Sequence, residues 1–264
     1  MIDLMDIEST DVVDERRARI VHDAIAKGKR HFGVAGASLT WMNSPRQKEM
    51  LPEGWKPKIL EEAMLAEQRT STTLRDWIKD KPSAVLIDST HIRGLGKERI
   101  DKETGLIEGG DTDHVLIIGG AIFIIDTKNW RKKATYTVSD KGAVLRNTKT
   151  FPGGRVHIER AVHMWLDYVD PIIDDVSIKG AIYINNDDDE TTRVFRGPTW
   201  YKHHWFLLEH SRFIKWMDES YAALSDTDRN TIDPTMIAEV AQCCVKPYNR
   251  RDGLINTKAL RGDR

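Results

Sequence analysis

The stretch Asp111–Lys128 constrains the fold most. Two apolar runs rich in β-branched residues, Val115–Ile118 and Ala121–Ile125, flank the pair Gly119-Gly120, and that pattern is a strong β-hairpin signal. With the two glycines as the loop, the register places Val115 opposite Ile124, Ile117 opposite Ile122, Asp113 opposite Asp126 and Asp111 opposite Lys128. Opposed residues share a face at roughly 4.5–5.5 Å. Lys128 joins Asp126 on that face because strand side chains alternate with period 2. Two carboxylates and an ammonium therefore converge at the open end of one hairpin. Facing carboxylates repel, so the arrangement asks for a cation between them, and a hard divalent metal is the natural candidate.

Both faces of the hairpin are apolar above its acidic end. Val115, Ile117, Ile122 and Ile124 line one face; Leu116, Ile118, Phe123 and Ile125 line the other. A sheet buried on both sides needs cover on both sides, which predicts an α/β chain in three α/β/α layers. One covering helix is predicted over Lys58–Lys79, with Pro57 near its start and Pro82 beyond its end. Its inward stripe, Leu60, Met64, Glu67, Ser71, Leu74 and Ile78, carries a carboxylate in the middle, where an unpaired charge is costly. Either Glu67 pairs with a buried Arg or Lys or snorkels to the surface, or it points at the same cation as Asp113 and Asp126.

The remaining pattern predicts a helix over Val13–Lys29 and an irregular connection from His31 to Pro57. A strand at Ser83–Asp88 and a loop at Ser89–Gly110 lead into the central hairpin. After it come an exposed hairpin (Thr135–Val138 with Ala143–Arg146), a helix over Gly154–Val169 and a strand over Lys179–Ile184. A strand at Trp205–Leu208 and helices at Ser211–Leu224 and Pro234–Cys244 complete the core. The chain thus divides into an N-terminal helical and irregular extension (residues 1–57), a main domain (58–245) and a basic tail (246–264). The extension, with Trp41 and Trp55, offers a surface for a homo-oligomer or a protein partner.

Charge says more by its distribution than by its sum. Forty Lys and Arg face 41 Asp and Glu across 264 residues, which identifies no partner. Between Lys128 and Arg160, however, nine basic residues meet two acidic ones, for a net +7. This window is either an ordinary solvated face or a surface that tracks phosphates beside the carboxylates, through Arg131, Lys132, Lys133, Arg146, Lys149 and Arg155. The run Asp187–Glu190 reads as a solvated loop, and His203, His204 and His210 as surface or packing histidines. Cys243 and Cys244 are adjacent and read as reduced thiols of a cytoplasmic protein. The acidic first fifteen residues hold no apolar signal core, and the longest apolar run is too short to cross a bilayer, so no membrane partner is expected. Zinc-peptidase, paired Cys-x-x-Cys and phosphate-loop motifs are lacking from the sequence, which removes the usual support for zinc or nucleotide hydrolysis.

At this point the sequence resembles a known family. Asp113-His114 opening one strand, and Asp126-Thr127-Lys128-Asn129-Trp130 closing the next, look like the signature of the NERD (nuclease-related) domain. Glu67 matches the glutamate of that family's first helix. The resemblance spans about residues 60–185 and implies the PD-(D/E)XK fold: a restriction-endonuclease-like core with a mixed central sheet, here with N- and C-terminal helical additions. It further implies a Mg²⁺- or Mn²⁺-dependent nuclease that hydrolyses phosphodiester bonds in DNA, with Glu67, Asp113 and Asp126 as metal ligands and Lys128 as the catalytic lysine. Asp111 would assist a second metal or pair with Lys128. Thr112 stands where the superfamily name has proline, and Arg155 or His157 lies nearest the position of the family's helix glutamine. The alternative from another class is a catalytically silent nucleic-acid-binding or assembly module that keeps the fold; a hydrolase of small phosphate esters comes third.

Overall fold

The structure is a computed structural model. It describes residues 19–42, 57–92, 99–100, 107–108, 110–154, 156–171, 176–186, 192–195 and 205–244. At its centre β5 (Gly110–Ile118) and β6 (Ala121–Lys128) run antiparallel around the glycine pair, with Val115 opposite Ile124 and Ile117 opposite Ile122, as the sequence predicts. Gly119 takes φ +55°, and a Cβ there would come within 2.4 Å of the Asp228 backbone. The turn is held from outside as well, since the Gly120 N–H donates to Asp228 Oδ1 at 3.1 Å.

The sheet grows outward from this hairpin. On one side β2 (Ala84–Ile92) pairs antiparallel with β5, and β1 (His31–Gly33) lies parallel to β2. On the other side β9 (Ser177–Ile184) runs parallel to β6, and β11 (Trp205–Leu208) parallel to β9. The result is a mixed six-stranded sheet in the order β1-β2-β5-β6-β9-β11. A small ribbon, β3 (Arg99–Ile100) with β4 (Ile107–Glu108), precedes β5. A second sheet joins β7 (Thr135–Val138), β8 (Val144–Arg146) and β10 (Arg193–Phe195).

Helices cover both faces. Besides α1 (residues 19–26) and α2 (Ala37–Met42), the chain forms α3 (Pro57–Trp77), α4 (Ile158–Val169), α5 (His210–Ala222), α6 (Asp226–Asn230) and α7 (Pro234–Gln242). Leu116, Ile118, Phe123 and Ile125 pack with Leu74 and Trp77 of α3 and Phe213, Trp216 and Met217 of α5. Val115, Ile117, Ile122 and Ile124 pack with Ile158, Trp165 and Val169 of α4 and Met236, Ile237 and Val240 of α7. The chain is therefore α/β, with the central hairpin buried on both sides. No helix among the described residues is long and apolar enough to cross a membrane.

Several elements differ from the sequence pattern. The connection expected to be irregular from His31 supplies the edge strand β1 and the short helix α2; a three-residue strand is too short to show a period. Strand β2 continues four residues past Asp88, into the segment read as loop. Helix α4 starts at Ile158 rather than Gly154, because a turn closed by Gly154 N–H to Phe151 O occupies that place. The five-residue α6, capped by Ser225 Oγ on the Asp228 amide, carries no apolar face to announce it. The beginning of the first helix, Trp55, Arg155, the run 187–190, His203, His204 and the tail 246–264 lie outside the described residues, as do the side chains of Trp41 and Asp111.

Gly33 joins the N-terminal segment to the sheet. Its φ is +79°, and a Cβ would lie 2.1 Å from the Asp88 carbonyl oxygen across the β1–β2 pair. Gly33→Ala should cost more than about 1 kcal/mol of unfolding free energy, measured by urea denaturation; an unchanged midpoint would show that β1 does not belong to the core.

Candidate active site

The sheet opens where the acidic end of the hairpin begins. Between β2 and β5 the ladder pairs Asp88 with His114 and Thr90 with Thr112, passing over Ser89 and Asp113. Ser89 takes φ +48°, in the left-handed region, which breaks the regular pleat. Between β5 and β6 the ladder ends at His114 and Ile125. Beyond it Asp113 Oδ2 accepts the Thr127 N–H at 2.7 Å, so a carboxylate stands in for the next backbone partner. On the sheet's far face Trp165 Nε1–H donates to Thr112 Oγ1 at 2.9 Å.

The regular β5–β6 ladder stops short of Asp111 and Lys128. Asp111 pairs with His91 on β2, and Lys128 Nζ donates to Asp126 Oδ1 at 2.7 Å, two residues back on its own strand. Asp113 and Asp126 still act on each other. Burial, and then the charge of Asp126, push the Asp113 carboxyl up to about 7. Burial opposes the charge on Lys128, but Asp126 and Asp113 more than offset it and hold the ammonium above the ordinary lysine range. Lys128 is a fixed positive charge rather than a base at neutral pH.

Helix α3 adds the third carboxylate. Glu67 is only 5% exposed, and burial followed by the charges of Asp113 and Asp126 raises its carboxyl well above the usual range, against the pull of Lys128. The nearby Gly36 backbone amide lowers it slightly, while Oε2 is buried with no hydrogen-bond partner among the described residues. Gly36 has φ +79°, and a Cβ would come within 2.5 Å of Met64 Cγ, so only glycine brings that amide so close to α3. Asp126 and Lys128 keep 21% and 31% of their side-chain surface. The cluster is closed at Glu67 and open to solvent at the end of β6.

Beneath it lies a network that the sequence did not announce. The buried Asp88 carboxylate meets His114 Nδ1 at 2.7 Å, His31 Nε2 at 2.7 Å and Ser71 Oγ at 2.5 Å. Burial pushes Asp88 up, but hydrogen bonds from His114, His31 and Ser71 together hold it far below the usual carboxylate range. With Asp88 ionised, His114 Nδ1 carries the hydrogen, and in the neutral ring Nε2 accepts from Thr127 Oγ1 at 3.1 Å. The chain of bonds runs from Asp88 through His114 and Thr127 to Asp113, and so fixes the carboxylate from below. The one sequence signal was a carboxylate ending an apolar strand run.

The basic window divides. Arg131, Lys132 and Lys133 are exposed just beyond Lys128. Arg146 and Lys149 sit together on the small sheet, bridged through their backbones, with the Arg146 guanidinium 4.7 Å from the Phe151 ring centre.

The donor chemistry fits a hard divalent cation: Glu67 and Asp113 are both pushed up by burial and neighbouring carboxylates, and Glu67 has a buried oxygen with no partner among the described residues. The cage is not already closed, since among the described residues no three His, Cys, Asp or Glu side chains are grouped so as to hold a metal ion. No protein-family model, curated protein or solved structure matches the chain.

Asp88→Asn should destabilise the fold by about 3–5 kcal/mol, as expected when one partner of a buried charged network is removed. Because the native carboxyl is held low, its contribution is complete above about pH 4 and lost as the pH falls below that. Urea unfolding of both proteins should show a constant gap from neutrality down to that pH and a shrinking gap beneath it.

Proposed function

We propose that the chain is a divalent-metal-dependent nuclease of the PD-(D/E)XK, restriction-endonuclease-like class, related to NERD domains and hydrolysing phosphodiester bonds in DNA. The observation that carries this reading is the meeting of Glu67, Asp113 and Asp126 with Lys128 where the central strands part. The order α3-β2-β5-β6-α4-β9 supports it, being the order that the resemblance leads one to expect.

Glu67, Asp113 and Asp126 would hold Mg²⁺ or Mn²⁺, with Asp111 as a further candidate ligand on β5. Such an ion supplies Lewis acidity at the phosphoryl oxygens and lowers the pKa of a bound water. The chain's own groups do the rest. The Lys128 ammonium donates to a phosphoryl oxygen as negative charge builds there, and Asp126 sets its direction. The Thr127 N–H keeps Asp113 aimed into the opening, backed by His114 and Asp88. Arg131, Lys132, Lys133, Arg146, Lys149 and Arg155 would contact the phosphate backbone.

One observation favours the rival, a silent nucleic-acid-binding module: Lys128 already neutralises Asp126, and no metal-holding group is assembled among the described residues. Plasmid and oligonucleotide cleavage with Mg²⁺, Mn²⁺ and EDTA separates the two. Lys128→Ala, Asp113→Ala and Asp126→Ala should each lower metal-dependent cleavage about 100-fold or more, with circular dichroism unchanged. Cleavage surviving all three removes the proposed site, and binding of single- or double-stranded DNA without cleavage in any metal establishes the rival.

A further inference from the structure

A cavity of about 380 Å³ opens between α3 and the segment that follows Lys128. Its volume is within the range of small-ligand sites. Its cations are Arg69, Arg131 and Lys132, against a single acid, Glu62. Its apolar wall is Trp130 with Leu65, and its amides are Asn129 and Asn186. The walls are set before any ligand arrives. Trp130 stacks on Tyr136 with ring centres 5.2 Å apart and meets Phe151 edge-on. The Tyr136 hydroxyl donates to the Arg131 carbonyl at 2.7 Å, and Asn186 Nδ2 donates to the Trp130 carbonyl at 3.0 Å. Arg69 is anchored on Asn185 through its Nε and Nη2.

Cations beside an aromatic and aliphatic wall, with amide groups between them, make a combination that a bare phosphate or a plain duplex backbone uses only in part. A base meets the ring and its edge meets the exposed Asn129 amide, while the phosphate meets the guanidinium and ammonium groups. We propose that this cavity holds one unstacked nucleotide unit, its phosphate on Arg131, Lys132 and Arg69 and its base against Trp130 and Leu65. The inference rests on the nuclease reading for its meaning: Asn129–Lys132 follow directly on Lys128, so the unit bound here neighbours the phosphate at the carboxylate cluster. Strands with an unpaired end or a gap then become the favoured substrates over blunt duplex.

The test uses the full chain in EDTA, where cleavage cannot intervene. Calorimetric titrations compare adenosine 5′-monophosphate, adenosine and inorganic phosphate, then a single-stranded oligodeoxyadenylate against a blunt hairpin duplex. The monophosphate should bind at least about tenfold more tightly than adenosine or phosphate, and the single strand more tightly than the hairpin. Arg131→Ala and Lys132→Ala, both at exposed positions, should each weaken the monophosphate about tenfold. Leu65→Glu, at a side chain 49% exposed, should abolish its advantage over phosphate. Equal affinity for monophosphate and phosphate, tighter binding of the blunt hairpin, or indifference to Leu65→Glu and Arg131→Ala overturns the proposal. Monophosphate binding in a protein that cuts no DNA removes the nuclease reading alone. Lys128-dependent cleavage without monophosphate binding removes the nucleotide cavity alone.

Discussion

A carboxylate inside the sheet organises this protein. Asp88 has no exposed side-chain surface, and an ion in that position is tolerated only when donors surround it. The donors come from three separate elements: His31 on β1, Ser71 on α3 and His114 on β5. Each must arrive at the right height and azimuth, which fixes β1 beside β2 and sets the rotation of α3 about its axis. That rotation is what directs Glu67, one helical turn before Ser71, toward the acidic end of the hairpin. Through His114 and Thr127 the same carboxylate reaches Asp113. The candidate site thus inherits its geometry from a group that takes no part in its chemistry.

Above this foundation the electrostatics run the other way. Asp88 is oversupplied with donors, whereas Glu67, Asp113 and Asp126 share one ammonium and one another's repulsion. A structure that satisfies one buried carboxylate so fully and leaves a neighbouring group of three short of positive charge has localised its imbalance. Such localised frustration marks sites that bind or react. Lys128 does not relieve it alone, because one ammonium is shared among three carboxyl groups. Under the proposed function the balance is completed by the cation.

How far the sequence disclosed this depends on the range of each interaction. The hairpin register, the two apolar faces, α3 and β11 were legible because each rests on a period of side chains within a dozen or so residues. Glu67 was legible as an anomaly in such a period. The Asp88 network was not: its partners lie 57, 17 and 26 residues away, and no local pattern records them. The end of the β5–β6 ladder was also invisible. Period-2 alternation extends the pairing to Asp113 and beyond, but a side-chain carboxylate that accepts a backbone N–H replaces the next rung without altering the pattern. The cavity at Trp130 was hidden in the same way, because the basic window shows charges in line and not which of them face an aromatic wall.

Under the proposed function, the N-terminal segment bears on how a substrate would reach the site. Gly36 lies against Met64 on the helix that carries Glu67, the Ala37 N–H donates to Ser89 Oγ at 3.0 Å, and His31 reaches Asp88, so residues 31–37 wall off the site on the Glu67 side. What remains exposed is the β6 end, with Asp126 and Lys128, followed directly by Asn129–Lys132 and the cavity under α3. A polyanion approaching from solvent therefore meets Lys128, Arg131 and Lys132 before it meets any buried carboxylate. Attraction comes first and the acidic cluster second, the sequence that a site short of positive charge needs if it is to admit an anion.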